Sequence, residues 1–98
     1  MHERRHRSRT EIVIRILEIA NEIGRDGFTK YKIMYKAFLS YAQLKEYLMV
    51  LTDSELLSYD LDSHMFKITE KGHRFLETYN QMENLIKEQQ QQQIGPSS

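Results

Sequence analysis

The hydrophobic spacing of this chain changes from a helical period to an alternating period near residue 56 and changes back near residue 69. Leu57, Tyr59 and Leu61 alternate with polar residues, and a second apolar stretch over 65–68 follows a polar tip. Two such runs joined by a short polar segment predict a β-hairpin. We therefore expect an α+β fold that is mainly α-helical and contains one small hairpin.

Three helices are predicted before the hairpin. Isoleucines at intervals of four, three and four residues predict the first helix over 10–23. Thr29 can cap a second, short helix over 30–38. Ser40 and Gln43 have the spacing of a capping box, which predicts the start of a third helix. The inner sides of the second and third helices are expected to comprise Ile33, Met34, Ala37, Phe38, Leu44, Tyr47, Leu48 and Leu51.

A long helix over 70–90 is predicted after the hairpin, with Thr69 as its cap. Large apolar residues recur on it at intervals of four, three and four, as in coiled coils. Phe75 and Leu76 are expected in the core of one chain, whereas the later residues extend past that core and predict a seam between two chains. The alternative is a tail helix that folds back onto the first helix. The predicted seam consists of Tyr79, Met82, Leu85 and Ile86.

The formal net charge of the chain is zero, but its charges are unevenly distributed. Residues 1–50 contain ten Lys and Arg against six Asp and Glu, whereas residues 51–98 contain four against eight. A polyanion would therefore meet the N-terminal half first. The basic residues of that half are concentrated in Arg4, Arg5, Arg7 and Arg9 and in Lys30, Lys32, Lys36 and Lys45.

Two short motifs resemble metal sites but lack the residues that such sites require. Residues 2–6 match the H-E-x-x-H pattern of zinc proteases, but no third ligand is evident and no predicted element fixes them. Residues 60–64 begin like a calcium loop, but Met65 and Lys71 stand where Gly and Glu are needed. The chain has no cysteine and no Gly-rich phosphate loop. We expect no enzyme, no metal and no cofactor.

The predicted order of helix, helix, helix, hairpin and helix, with a short turn near Ser40, is that of a winged helix-turn-helix. In this architecture the third helix enters the major groove of DNA and the second crosses the phosphate backbone. The N-terminal arginines either lie in a minor groove or are disordered. The predicted phosphate contacts are Lys30, Lys32 and Lys36, and the predicted base contacts are Tyr41, Gln43 and Lys45.

Three segments resemble the small archaeal winged-helix DNA-binding proteins, a family with chromatin-associated and regulator-like members. They are residues 32–41, residues 44–48 and the closing Ile-Thr-x-Lys-Gly pattern over 68–72, which Phe75 and Leu76 follow. The resemblance covers about residues 10–86. It implies DNA binding by the third helix and the hairpin wing, and dimerisation through a C-terminal helix that forms an antiparallel coiled coil.

Two features depart from the pattern of that family. The family usually has a glycine before the wing, where this chain has Asp-Ser-Glu-Leu over 53–56. The wing tip is acidic, because it carries Asp60 and Asp62, and carboxylates repel phosphates. We expect the wing either to stay off the DNA or to contact protein.

The length of 98 residues leaves room for one core. We divide the chain into a basic flexible arm over 1–9, a winged helix-turn-helix over 10–69, a dimerisation helix over 70–90 and a disordered tail over 91–98. No apolar run is long enough for a signal peptide or a membrane span, so we expect a cytoplasmic protein located at the nucleoid.

The sequence predicts a dimeric protein that binds double-stranded DNA, either a transcriptional regulator or a nucleoid-associated protein. The neutral net charge argues against bulk DNA compaction as the main role, because that role depends on electrostatic attraction. The alternative is a protein-interaction module that does not bind DNA, since one fold can serve several functions.

Overall fold

The computed structural model describes residues 7–94, with side chains over 7–89. Its elements in chain order are α1 (Arg9–Ile23), a 3-10 turn (Gly24–Asp26), α2 (Lys30–Ala37), α3 (Tyr41–Asp53), β1 (Leu57–Asp60), β2 (Met65–Ile68) and α4 (Glu70–Ile94). This confirms the mainly helical fold with one hairpin and a long last helix. The last helix continues four residues past its predicted end at 90, and residues 95–98 of the predicted tail lie outside the described residues.

Side-chain caps determine where the first three helices begin. Ser8 Oγ accepts the backbone N–H of Glu11 at 3.0 Å, and the Glu11 carboxylate accepts the N–H of Ser8 at 2.8 Å. Ser40 and Gln43 form a second capping box of the same kind. The Thr29 hydroxyl caps α2. Each such cap stabilises a helix by about 1 kcal/mol, and the predicted caps Thr29 and Ser40 are confirmed.

One apolar core joins α1, α2, α3 and the hairpin. Phe28, in the turn before α2, is fully buried and forms an antiparallel bridge to Phe66 of β2. Their aromatic rings stack at 5.8 Å between centroids, so the hairpin is fixed to the helical body along one edge. The predicted core residues that are buried include Ile12, Ile16, Ile19, Ile33, Ala37, Leu44, Tyr47, Leu48, Leu51 and Leu76.

Phe38 was expected on the inner side of α2, and this prediction is wrong, because its side chain is 84% exposed. The helix ends at Ala37, and Phe38 adopts a left-handed backbone conformation with φ 56°. This conformation redirects the chain, and the N–H of Leu39 donates to the carbonyl of Met34 at 3.1 Å. Leu39 is therefore the residue that enters the core at the turn between α2 and α3.

The start of α4 is fastened to the loop after α3 by a group of residues that we call the Thr69 junction: Glu55, Leu56, Thr69 and Gly72. Thr69 Oγ donates to the Glu55 carbonyl at 2.6 Å and accepts the N–H of Gly72 at 2.9 Å. The N–H of Thr69 donates to the Leu56 carbonyl at 3.1 Å. The Ile-Thr-x-Lys-Gly pattern thus has a structural role, because it fixes α4 relative to α3.

Glu55 lies in the segment where a glycine is usual before the wing, and it adopts a left-handed conformation with φ 64°. This region is disfavoured for residues with a Cβ, so the chain uses an L residue where glycine fits without strain. Glu55 thus adopts the left-handed conformation that a glycine adopts without strain.

We expect Glu55→Gly to stabilise the fold by about 1 kcal/mol and to raise Tm by roughly 4–8 °C, because the strain at this residue disappears. Urea and thermal unfolding measure both quantities. Glu55→Ala is the matched control, since it removes the same carboxylate but keeps a Cβ. Equal stabilisation by the two variants would show that the charge, and not the backbone, is responsible.

Candidate nucleic-acid interface

The first turns of α2 and α3 lie side by side and bring together three predicted contact residues, which we call the lysine–tyrosine cluster: Lys30, Tyr41 and Lys45. The Nζ atom of Lys30 lies 5.5 Å from the centre of the Tyr41 ring, and that of Lys45 lies 5.7 Å from it. Attraction between each ammonium group and the ring favours this arrangement. Tyr41 and Lys45 are exposed, so the cluster is accessible to a ligand.

The outer side of α2 continues this positive surface. Lys32 and Lys36 are exposed and stand one helical turn apart. The sequence over 27–45 contains four lysines and no Asp or Glu. The nearest carboxylates along the chain are those of Asp26 and Glu46, and Glu46 is paired with Arg9.

Gln43 lies on the first turn of α3, as predicted, but its side chain also belongs to the capping box. Its Oε1 atom accepts the backbone N–H of Ser40 at 3.1 Å. The amide nitrogen of Gln43 is a donor that the box does not use. A bidentate hydrogen bond with adenine uses both the amide nitrogen and the amide oxygen of Gln43. In that contact Oε1 would have to accept from the base and from the backbone of Ser40 at the same time.

Arg7 and Arg9 were predicted in a flexible arm, but the structure places both against the helix-turn-helix. Arg9 is the first residue of α1, pairs with Glu46 of α3 at 3.2 Å and has its guanidinium carbon 5.1 Å from the centre of the Tyr47 ring. Arg7 Nη2 donates to the carbonyl of Phe38 at 3.0 Å. These two arginines connect the start of α1 to α3 and to the turn after α2. The predicted contacts Arg4 and Arg5 lie outside the described residues.

The hairpin tip presents negative charge. Asp60 accepts hydrogen bonds from Ser63 Oγ at 2.7 Å and from backbone N–H groups of the turn. The Ser63 hydroxyl is the main cause that lowers the pKa of Asp60, so this carboxyl stays ionised at neutral pH. Asp62 is exposed beside it. The wing tip is therefore a poor partner for phosphates.

The last helix exposes a row of apolar residues. Met82, Leu85 and Ile86 of the predicted seam are between 51% and 62% exposed. Phe75, which was expected in the core, is 41% exposed and lies on the same side. We call Phe75, Met82, Leu85 and Ile86 the α4 stripe.

Tyr79, the remaining residue of the predicted seam, is half-buried against the core of its own chain. Its hydroxyl donates to Glu83 at 3.0 Å, and this bond is the main cause that raises the pKa of Tyr79. The side chain of Tyr79 therefore contributes to packing within the chain, and it borders the α4 stripe.

Sequence reasoning did not anticipate the exposure of three aromatic side chains, Tyr31, Tyr35 and Phe38. Tyr31 and Tyr35 are four residues apart on α2, and neither belongs to its buried side, which contains Ile33 and Ala37. That spacing is visible in the sequence and could have identified a solvent-facing pair of rings. The exposure of Phe38 required the left-handed turn, which the sequence does not reveal.

A protein-family model described as winged helix-turn-helix matches residues 6–87 of the chain. The match includes α1, α2, α3, the hairpin and most of α4. No curated protein matches the chain significantly. Within residues 7–94, no helix combines the length and the apolar character needed to cross a membrane.

Proposed function

The chain belongs to the winged helix-turn-helix family, and from this premise we propose that it binds double-stranded DNA as a dimeric transcriptional regulator. Helix α3 enters the major groove, with Tyr41, Gln43 and Lys45 on its first turns facing the bases. Helix α2 crosses the backbone, with its lysines near phosphates. The neutral net charge favours regulation over bulk compaction, although both roles belong to the nucleoid. The proposal assigns the chain no catalytic activity.

The observation that carries this proposal is the lysine–tyrosine cluster. It joins the two helices that contact DNA in this fold, at the ends where base edges and phosphates come within reach. Lys30 and Lys45 supply positive charge from different helices to one location. An anionic backbone that passes between the helix starts would meet both ammonium groups.

Lys30→Ala combined with Lys36→Ala should weaken duplex binding about equally for all sequences. The slope of log K against log salt should become shallower by about 2 for each bound chain, and so by about 4 for a dimer, because each neutralised phosphate contributes roughly 0.9. Fluorescence anisotropy with a labelled duplex over a range of salt concentrations measures this slope. Arg15→Ala with Lys87→Ala is the matched control, since it removes two cations from the side formed by α1 and α4. An unchanged slope in the α2 variant contradicts the phosphate assignment.

Gln43→Ala should reduce discrimination between duplex sequences and leave non-specific affinity nearly intact, because a lost base contact removes ~1–3 kcal/mol of selectivity. The comparison uses a duplex selected from random DNA and an unselected duplex. Ser40→Ala breaks the same capping box but keeps the glutamine amide. If Ser40→Ala lowers selectivity as much, Gln43 acts through the cap. If specific and non-specific binding fall together, Gln43 does not contact a base.

Dimerisation through α4 is the second part of the proposal, and the exposure of the α4 stripe supports it. Large apolar side chains that are contiguous on a soluble surface mark contact sites. Phe75 and Met82 are seven residues apart, as the d positions of a heptad are, and Ile86 occupies an a position in the same register. A second copy of α4 would cover these residues. Two linked domains would then bind two half-sites on the duplex.

A protein-interaction module is the alternative function, and one observation favours it. Met49 and Val50 are exposed on α3, at the end away from the lysine–tyrosine cluster. The DNA contacts proposed above assign no role to these two residues or to the acidic wing tip. Absence of salt-dependent duplex binding in the anisotropy experiment would support this alternative over the proposal.

A further inference from the structure

Helix α2 exposes two aromatic rings beside two lysines. Tyr31 is 52% and Tyr35 is 75% exposed, and they stand one turn apart. Lys32 and Lys36 follow them by one residue each, so a basic row runs next to the aromatic row. Phe38, in the turn after α2, is a third exposed aromatic residue. Contacts with a duplex backbone use the lysines and leave these rings without a role.

The aromatic row leads into a cleft between the start of α2 and the hairpin. The cleft has a volume of about 450 Å³ and is lined by Thr29, Lys30, Tyr31, Tyr59, His64 and Phe66. Tyr31 and Tyr59 thus contribute aromatic surface to one cavity from two different elements. The Lys30 ammonium lies 5.3 Å from the centre of the Tyr31 ring, which places a positive charge at the cleft.

The hairpin side of the cleft is held in place by its neighbours. The Tyr59 hydroxyl is hydrogen-bonded to His64 Nδ1 at 2.8 Å, and the Tyr59 ring lies 4.6 Å from the Phe66 ring between centroids. Phe66 in turn stacks on the buried Phe28. Because Tyr59 is fixed in this way, a planar ligand would meet a preorganised ring.

The chemistry of this surface matches an unpaired polynucleotide strand. Every nucleobase has a flat π-face that stacks on aromatic side chains, and a basic row beside the rings follows the phosphates. Bases inside a duplex are stacked on each other and cannot reach such rings. The acidic groups nearest in sequence to Tyr59 are Asp60 and Asp62, and they repel phosphates. The phosphates of a bound strand therefore follow the lysines of α2, and only a base enters the cleft.

We propose that α2 and the adjoining cleft form a binding site for single-stranded DNA. One unstacked base enters the cleft between Tyr31 and Tyr59, the next stacks on Tyr35, and the phosphates pass Lys32 and Lys36. This site is distinct from the base contacts of α3 and does not depend on dimerisation. It gives the protein a means to bind a locally melted strand.

The test uses the full chain, an oligothymidylate of about 12 nucleotides and a duplex of the same length. The chain has six tyrosines and no tryptophan, so stacking can be followed by quenching of tyrosine emission as well as by anisotropy. The variants are Tyr31→Leu and Tyr35→Leu. Tyr31→Phe and Tyr35→Phe are the matched controls, because they keep the ring and remove the hydroxyl. Circular dichroism verifies that each variant is folded.

Each Leu variant should lose about 5- to 150-fold in affinity for the single strand, which corresponds to the ~1–3 kcal/mol of one base–aromatic stack. The Phe variants should bind like wild type, and the Leu variants should retain duplex binding. Failure of duplex binding alone contradicts the proposed function and leaves this site standing.

Three results would overturn the inference. The first is no binding of oligothymidylate at low salt concentration, whether or not the duplex binds. The second is equal affinity of the Leu variants and wild type for the single strand. The third is a preference of tenfold or more for oligouridylate of the same length, which would assign the site to RNA.

Discussion

Gly72→Ala is expected to destabilise the fold by about 2–3 kcal/mol. In an exposed helix, the same Gly→Ala change stabilises the helix by roughly 1 kcal/mol. A Cβ on Gly72 would overlap the carbonyl oxygen of Leu56 and the side chain of Ile68. The carbonyl belongs to backbone that the Thr69 junction holds, so it cannot move away cheaply. Urea denaturation gives the difference in the free energy of unfolding.

Asn80→Ala is the matched control for Gly72→Ala, because Asn80 is exposed on the same helix. Replacement by the best helix former should leave stability unchanged or raise it by a few tenths of a kcal/mol. A gain in stability for Gly72→Ala would show that α4 does not approach the Leu56 carbonyl closely.

Met82→Lys combined with Ile86→Lys should convert the proposed dimer into a folded monomer and lower duplex affinity by about a hundredfold or more. The loss follows because two linked domains gain affinity from the high effective concentration of the second one. Charged side chains in the α4 stripe would repel each other across the seam and remove its apolar contacts. Analytical ultracentrifugation measures the oligomeric state, and anisotropy measures the affinity.

Glu77→Lys with Asn84→Lys is the control for this variant. Both positions are exposed on α4, on the side away from the α4 stripe, so the pair adds lysines without touching the seam. It should remain dimeric. The seam does not exist if the wild-type chain sediments as a monomer at tens of micromolar, since a dimer with a Kd of ~1 μM would be populated there.

Much of the fold could be predicted because the signals for it are local. Capping pairs such as Ser8 with Glu11 are recognisable from residue type and spacing alone. Periodic apolar residues fix the buried side of each helix. The direction of the chain at Phe38 was not predictable in this way, because its left-handed conformation is stabilised by the burial of Leu39, a contact that forms only in the folded chain.

The part of the candidate site that could be predicted also depends on local sequence signals. Charge pattern and element order identified Lys30, Tyr41 and Lys45, which the structure brings together. Phe75 and Leu76 were both expected in the core, but neighbouring helical positions differ by about 100° in direction, and only Leu76 faces the body. The cleft beside Tyr31 could not be anticipated, because its other side comes from a hairpin about thirty residues later in the chain.

The chemistry of the Thr69 junction determines how the scaffold responds to salt in solution measurements. Its hydrogen bonds join a hydroxyl to backbone carbonyl and N–H groups, and none of them involves an ionised partner. Dissolved ions screen interactions between charges, so they have little effect on such bonds. Lys71 Nζ adds one charged donor beside the junction, to the Ser54 carbonyl at 2.9 Å. We therefore expect the angle between α3 and α4 to change little with ionic strength, so that a salt titration reports mainly on contacts with a charged ligand.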